Sequence, residues 1–380
     1  MKQLLITTSL FFSLHSFAQT QLETLRQTVK KDIRLGQYEQ VFSMLENNIA
    51  SIDNDTTGLF DALISLGLFQ QQWTAILNAY TNHHYKTGED TTTLSLARFY
   101  SENPTEKIVF PQAFNIPFKR SMTGTPVITV KLNNKTYHFW FDTGAGMTVL
   151  SSETAAACGI KTANVKTGSA TAATGKAVGI LPALIDSLEI NTLKVYNHPC
   201  IILNKKDLEF KLLGIRIIKI DVIIGWNLLQ ELDVTINNPK KIISLASSDE
   251  QVSSKNNFFW LDQPVISCTD SAGSDLLFFM DTGAGGSGVY PPFLSKADTT
   301  KAKKKTISIG SAGGIVKMKS LIFPQVKLNV GGSSIVIKKV PLWPHKTFNL
   351  FACDGVLGIS EFKKRSIHFN VRKGFFIVTD

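Results

Sequence analysis

An eight-residue segment that occurs twice constrains this chain more than any other feature of its sequence. Residues 139–146 read Phe-Trp-Phe-Asp-Thr-Gly-Ala-Gly, and residues 278–285 read Phe-Phe-Met-Asp-Thr-Gly-Ala-Gly. Each copy is followed by an Asp-x-x-[Ile/Leu]-Gly element, at 221–225 and at 354–358. The interval from the first Asp to the last Gly is 83 residues in one copy and 77 in the other. This agreement in order, content and spacing predicts a duplicated unit, with one copy in each of two lobes.

The position of Asp142 and Asp281 in these segments indicates an active site. Each carboxylate follows a run too apolar for a surface turn, and a nearly buried carboxylate needs a reason to be there. The apolar strands would deliver both Asp side chains to the centre of the protein. The Thr hydroxyl can fix each loop, and the Gly allows two backbones to approach closely. We expect the two loops to meet at a pseudo-twofold axis, where the carboxylates share one proton and one water.

These paired motifs resemble those of the aspartic proteases. The Ala that follows each Asp-Thr-Gly and the form of the elements at 221–225 and 354–358 are more similar to retropepsins than to pepsins. The resemblance covers about residues 110–380. It implies a mainly β, bilobal fold with double-psi, closed-barrel-like lobes. Retropepsins are usually homodimers with one Asp per chain, so this chain resembles a fused version.

The resemblance also assigns roles to individual residues. It implies that Asp142 and Asp281 are catalytic, one ionised to take a proton from water and the other protonated to donate to the peptide carbonyl. No metal and no organic cofactor is implied. β-Hairpin flaps would cover the substrate at 167–182 and 306–320, with tips at Thr174-Gly175 and Gly313-Gly314. The residues that would support the Asp loops are Thr143, Gly144, Thr282, Gly283, Ile224, Gly225, Leu357 and Gly358.

The N-terminus has the pattern of a cleavable export signal. Lys2 precedes an apolar stretch from Leu4 to Phe17, and Ser16 and Ala18 are small residues at the positions that a signal peptidase reads. We therefore expect a signal peptide at 1–18 and a periplasmic or extracellular mature protein. The apolar run is too short for a membrane span, which needs about 20 residues. Export would place the four Cys in an oxidising compartment, where they either form disulfides or stay free as buried apolar side chains.

Residues 19–105 have helical rather than strand patterns. Apolar residues recur at spacings of three and four over 38–45 and 59–80, and 91–100 predicts a further helix. This pattern resembles a short tetratricopeptide-like array, whose role would be partner binding or that of a packed cap. The region has a net charge of −4, whereas residues 106–380 have a net charge of +13. The change predicts a domain boundary near 105, and the duplication predicts protease lobes at 106–250 and 251–380.

Other functional classes lack the motifs that they require. The excess of basic residues permits nucleic-acid binding, but no zinc-ligand spacing or helix-turn-helix pattern supports it. There is no Gly-x-Ser-x-Gly nucleophile elbow and no His-Glu-x-x-His metal site. The sequence therefore predicts an exported aspartic endopeptidase that acts on a peptide or protein substrate, with no nucleic acid and no membrane span. Two alternatives are a non-catalytic peptide-binding protein with the same fold, and a chain whose helical region is the functional part.

Overall fold

The fold is known from a computed structural model. It describes residues 19–52, 58–82, 91–163, 168–171, 176–212, 215–248, 256–311, 314–344 and 350–380. The expected signal segment at 1–18 lies outside the described residues, as do the expected flap-tip residues Thr174, Gly175 and Gly313. Within the ranges described, no helix is long and apolar enough to cross a membrane.

The N-terminal region is helical, as its sequence predicts. The stretch expected to be helical over 59–80 forms two helices rather than one. They are separated at Gln71, which has a left-handed φ of 56°. Two further short helices, α7 and α8, lie in the first lobe. The helices are α1 (19–34), α2 (Tyr38–Asn47), α3 (Ile49–Ile52), α4 (Leu59–Phe69), α5 (Trp73–Asn82), α6 (Thr91–Ser101), α7 (Ser152–Cys158) and α8 (Trp226–Leu229).

The remainder of the chain is built from strands. The strands up to Ser247 are β1 (Lys107–Val109), β2 (Phe114–Pro117), β3 (Lys119–Arg120), β4 (Pro126–Leu132), β5 (Lys135–Phe141), β6 (Thr148–Ser151), β7 (Lys161–Thr162), β8 (Gly168–Thr171), β9 (Ala177–Ile190), β10 (Leu193–Leu203), β11 (Glu209–Leu212), β12 (Ile215–Lys219), β13 (Val222–Ile224), β14 (Leu232–Asn237) and β15 (Ile242–Ser247). Those that follow are β16 (Phe258–Leu261), β17 (Gln263–Asp270), β18 (Asp275–Asp281), β19 (Gly288–Val289), β20 (Lys303–Ser311), β21 (Gly314–Val330), β22 (Ser333–Pro341), β23 (Gly355–Gly358), β24 (Ser366–Asn370) and β25 (Phe375–Thr379).

The first lobe contains a closed barrel of six strands. The ring runs β10–β6–β13–β5–β4–β9 and returns to β10. Two of the six neighbouring strand pairs in the ring are parallel, β10 with β6 and β13 with β5, and the other four pairs are antiparallel. β4 alternates between buried and more exposed positions, as a strand with one face in the core should. Asn133 and Asn134, both at positive φ, make the tight turn into β5, a conformation that Asn tolerates well.

The second lobe repeats this ring strand for strand. Its order is β22–β19–β23–β18–β17–β21 and back to β22. An isolated parallel bridge between Val289 and Leu342, one residue beyond β22, closes the ring. Each step has the same parallel or antiparallel sense as its counterpart in the first lobe. The mainly β fold with a closed barrel and an N-terminal helical region confirms the fold class that the sequence predicts.

A five-stranded antiparallel sheet joins the two lobes. Its order is β2–β15–β14–β24–β25, so that a hairpin that follows the first barrel meets a hairpin that follows the second. The central pairing is β14 with β24, where Thr235 lies opposite His368. Because main-chain hydrogen bonds cross from one lobe to the other, the lobes have a fixed relative position.

The helical region packs against the start of the second lobe. The hydroxyl of Tyr38 accepts a hydrogen bond of 2.8 Å from the N–H of Trp260. The ring of Phe69 stacks on the indole of Trp260, with centroids 4.8 Å apart. The side chain of Gln230 donates to the carbonyl of Phe69 at 2.6 Å. Two roles are expected for this region, partner binding and that of a packed cap. These buried contacts favour the packed cap.

The four cysteines are buried and none forms a disulfide bond. Of the two alternatives that the sequence leaves open, the structure therefore shows the free form. The cysteines are Cys158, Cys200, Cys268 and Cys353.

Candidate active site

Strand β5 of the first barrel positions the first carboxylate, that of Asp142. Phe139 and Phe141 are fully buried on β5, and Asp142 follows directly at its end. β13 runs parallel to β5 on one side, and its Ile224 carbonyl accepts the N–H of Asp142 at 3.3 Å. The apolar strand before Asp142 thus anchors the loop in the core.

The second carboxylate is delivered in the same way. Asp281 is the last residue of β18, after the buried Phe278, Phe279 and Met280. β23 runs parallel beside it, with Asp281 opposite Gly358. Residues 222–224 and 355–358 pair in parallel with the strands that lead to Asp142 and Asp281.

The two Asp-Thr-Gly loops are linked by reciprocal hydrogen bonds. The N–H of Thr143 donates to the hydroxyl of Thr282, and the N–H of Thr282 donates to the hydroxyl of Thr143, both at 2.9 Å. Each hydroxyl then donates to a carbonyl of the opposite strand, Thr143 to Met280 at 2.8 Å and Thr282 to Phe141 at 2.6 Å. All four groups are buried, so breaking one link would leave a buried donor or acceptor unpaired.

Each glycine of the two motifs lies against the carboxylate of the other loop. A Cβ built on Gly144 would lie 2.7 Å from Cγ of Asp281, and one on Gly283 would lie 2.5 Å from Cγ of Asp142. No side chain larger than hydrogen fits at either place without a shift. The main chain also holds the carboxylates, since Gly144 N–H donates to Asp142 and Ala284 N–H donates to Asp281, both at 2.8 Å.

The electrostatics of the pair favour a shared proton. The two carboxyl groups lie side by side, each against the glycine of the other loop, and both residues keep partial exposure. Burial raises the pKa of both carboxyls above the ordinary aspartate range. The negative charge of Asp281 raises the pKa of Asp142 further, while the N–H of Gly144 opposes the shift. Because two adjacent carboxylates do not both ionise readily, one proton remains on the pair and belongs to both.

One protein-family model matches part of the chain. Residues 128–219, about a quarter of the sequence, match the family model described as gag-polyprotein putative aspartyl protease. The matched residues lie in the first lobe and include Asp142. A solved structure to which the chain is similar is a retropepsin-like aspartic protease from Rickettsia conorii, at 20% identity, over 37% of this chain and 91% of that chain, with a TM-score of 0.24. No curated protein matches the chain.

The first lobe and its repeat each contain a supporting hydroxyl that was not predicted from the sequence. Thr148 and Ser287 each lie six residues after the motif Asp and are buried. The N–H of Gly225 donates to the hydroxyl of Thr148 at 3.4 Å, and the N–H of Gly358 donates to that of Ser287 at 3.1 Å. The signal was present, since both copies have a hydroxyl residue at the same offset.

A buried polar chain that includes a histidine supports the first loop, whereas in the second loop Ser287 donates to the carboxylate of Glu361 at 3.1 Å. The hydroxyl of Thr148 and Nε2 of His198 form a hydrogen bond of 2.7 Å. The other ring nitrogen of His198, Nδ1, contacts the carboxylate of Glu106. The side chains of His198 and Glu106 are 0% and 8% exposed. Nothing in the sequence spacing indicates this contact, because the two residues lie 92 positions apart.

The two expected flap segments lie in β-hairpins. β8 pairs with β9, and β20 pairs with β21 as far as Ser311 opposite Gly314. Gly314 has a φ of 116°, a value that favours Gly. A Cβ at Gly314 would lie 3.5 Å from the Nζ of Lys176, next to the first hairpin. The ends of the two hairpins therefore approach each other.

Proposed function

We propose that this chain is an aspartic endopeptidase in which Asp142 and Asp281 together activate one water molecule. A single observation carries the proposal: two partly exposed carboxyl groups, from two barrels of the same topology, each lie against the motif glycine of the other loop. The family match of the first lobe supports aspartic protease function in general and a peptide or protein as the substrate.

The proposed mechanism divides the two roles between the members of the pair. The ionised carboxylate takes a proton from water as the water oxygen attacks the peptide carbonyl. The protonated carboxyl donates its proton to the carbonyl oxygen, which stabilises the developing charge. The raised pKa values support this division, because the proton on the pair is retained above the pH at which an isolated Asp would lose it.

The Thr and Gly residues of the motifs have a supporting role in this proposal. The Thr143–Thr282 links fix the distance between the loops, and the small Gly144 and Gly283 admit the opposite carboxylates. The substrate would lie between the pair and the hairpins β8–β9 and β20–β21. Flap contacts from Thr174, Gly175, Gly313 and Gly314 remain part of the proposal.

We also propose that the protein is exported. The apolar segment at 4–17 and the small residues at 16 and 18 support this, and the mature chain would begin at Gln19. Its place of action would be the periplasm or the medium.

The test is peptide cleavage by the purified full-length protein on a diverse peptide pool, with and without pepstatin. We expect cleavage that pepstatin blocks. Asp142→Asn and Asp281→Asn should each lower kcat by about 10²- to 10⁴-fold, the usual contribution of a general acid or base. Asp298→Asn is the matched control, because Asp298 is an exposed Asp of the second lobe. A wild-type protein that binds peptides without cleaving them would favour the non-catalytic alternative, and a single Asn variant with wild-type turnover would exclude the paired mechanism.

A further inference from the structure

One strand of the first-lobe flap has an edge that is not covered by another strand of the barrel. β8 pairs with β9 along one side, where Ser169 lies opposite Gly179. The N–H and C=O of Ser169 point to the other side, away from β9, because both are hydrogen bonded to Thr92. A strand edge of this kind leaves polar main-chain groups that need partners.

The side chain of Thr92, at the start of α6, supplies both partners. The N–H of Ser169 donates to the hydroxyl of Thr92 at 2.8 Å, and the same hydroxyl donates to the carbonyl of Ser169 at 3.0 Å. A hydroxyl is suited to this position because it can accept and donate at once. Thr92 therefore pairs with Ser169 as a residue of a neighbouring strand would.

Gly168, the flap residue before Ser169, leaves room for the contact with Thr92. A Cβ at Gly168 would lie 2.7 Å from Oγ1 and 2.9 Å from Cα of Thr92. The second of these is a main-chain atom of a helix, which cannot easily move aside. The absence of a side chain at Gly168 thus permits α6 to approach β8.

Helix α6 is in turn held against the strand that carries Asp142. Leu96 and Tyr100 on α6 are buried in one cluster with the flap residues Val178 and Ile180 of β9. The same cluster contains Trp140 of β5, two residues before Asp142, and Ile223 of β13. The hydroxyl of Tyr100 donates to the carbonyl of Cys200 on β10 at 2.6 Å. One helix therefore contacts both the flap and the outer face of the barrel beneath the candidate active site.

We propose that Thr92 is a positioning residue for the first-lobe flap, and that the helical region is thereby a built-in part of the substrate site. It holds the edge of β8 so that the flap wall is in place before substrate arrives. The significance of this for catalysis rests on the proposed endopeptidase function. The contact itself does not, and can be tested separately.

The first test is hydrogen exchange of the Ser169 amide in the full-length protein, without substrate. Thr92→Val has nearly the same shape but cannot pair with Ser169, and we expect exchange at Ser169 to become about 3- to 10-fold faster, the range for loss of one hydrogen bond. Thr92→Ser keeps the hydroxyl and should restore the wild-type rate. Thr81→Val is the matched control, because the hydroxyl of Thr81 bonds only within α5, to Leu77 at 2.7 Å. Exchange in β20 should be the same in all variants.

The second test is steady-state kinetics on a peptide that the wild-type protein cleaves. Because the looser flap weakens substrate binding rather than chemistry, Thr92→Val should raise KM about 3- to 10-fold with kcat within about twofold, and Thr92→Ser should not. Unchanged exchange at Ser169 in Thr92→Val, or an equal change in Thr81→Val, would overturn the proposal. Faster exchange with an unchanged KM would overturn its catalytic part. A wild-type protein without peptidase activity would refute the proposed function, while the exchange measurement still decides the contact.

Discussion

The indole nitrogen of Trp226 donates to the main-chain carbonyl of Thr143 at a distance of 2.6 Å. Trp226 is 1% exposed and lies directly after Gly225, so this bond ties the supporting element of the first lobe to the Asp-Thr-Gly loop itself. The corresponding position in the second lobe is Ile359, which cannot donate from its side chain. The two halves thus share a topology but differ in the contacts that fix each Asp-Thr-Gly loop.

This relationship predicts a difference in stability between two tryptophan variants. Trp226→Phe removes ring volume and leaves the Thr143 carbonyl without its donor. Trp260→Phe removes the same volume, but the Trp260 indole nitrogen is buried without a hydrogen-bond partner among the described residues. We expect Trp226→Phe to lower the free energy of unfolding by about 1–2 kcal/mol more than Trp260→Phe. Urea denaturation measures both, and equal losses would mean that the indole bond contributes nothing.

The glycine that ends the supporting element predicts a steric effect. A Cβ at Gly225 would lie 2.3 Å from the carbonyl carbon and oxygen of Met147, which are main-chain atoms of the loop below Asp142. Gly225→Ala should therefore cost about 3 kcal/mol or more in the free energy of unfolding. Gly146→Ala is the matched control in the same loop, since a Cβ there has no neighbour within 4 Å. Similar denaturation midpoints for the two variants would contradict the predicted clash.

The repeated parts of the site could be predicted from the sequence because the repeat itself carries the information. Asp142 and Asp281 and the Thr and Gly residues beside them stand at matching offsets in both copies, and the glycines at 225 and 358 follow after similar intervals of 83 and 77 residues. Thr148 and Ser287 follow the same rule and could have been found. The mainly β fold followed from the same duplication, together with the strand-like composition.

The parts without a counterpart in the repeat could not be predicted. Trp226, and the Glu106–His198 contact, depend on which side chains the folded barrel brings together. The packing of Tyr38 on Trp260 joins residues 222 positions apart, and an amphipathic helix indicates that it has a buried face but not what covers it. The two-helix form of 59–80 was missed because Gln71 adopts a positive φ that its residue type does not favour.

The raised pKa values of the pair predict that the carboxyls of Asp142 and Asp281 destabilise the fold at neutral pH. The folded state binds more protons than the unfolded state between the ordinary Asp pKa and the raised one, so stability falls as pH rises through this range. An Asp142→Asn, Asp281→Asn double variant has no such charge. We expect it to be about 1–3 kcal/mol more stable than the wild type at pH 7, with the difference lost near pH 4.

Melting temperatures measured from pH 4 to pH 8 check this, with Asp298→Asn as the control for loss of an exposed carboxylate. In the folded state Asp298 accepts the hydroxyl of Thr300 at 2.6 Å and its N–H at 2.9 Å, and these bonds lower the pKa of Asp298, so its removal should not stabilise the protein at pH 7. A double Asn variant that is no more stable than the wild type at any pH would show that the carboxyls are adequately solvated.

The residues after the two motifs predict where activity depends on pH. Ala145 and Ala284 have no side-chain donor, whereas a hydroxyl at this position could hydrogen-bond the ionised carboxylate and lower its pKa. The net charge of +13 on residues 106–380 favours the ionised form, but salt screens charges beyond about 10 Å. We therefore expect a bell-shaped profile of kcat/KM with an optimum at about pH 5–6, since the acidic limb reports the pKa of the group that must be ionised.

An Ala145→Ser, Ala284→Ser double variant should move the acidic limb to lower pH, because the added donors stabilise the carboxylate. Ala156→Ser, an exposed position on α7, should leave the profile unchanged. A wild-type optimum near pH 2–3 on a neutral peptide, or a double variant whose acidic limb stays in place, would show that the main-chain donors Gly144 and Ala284 already set the pKa of the pair.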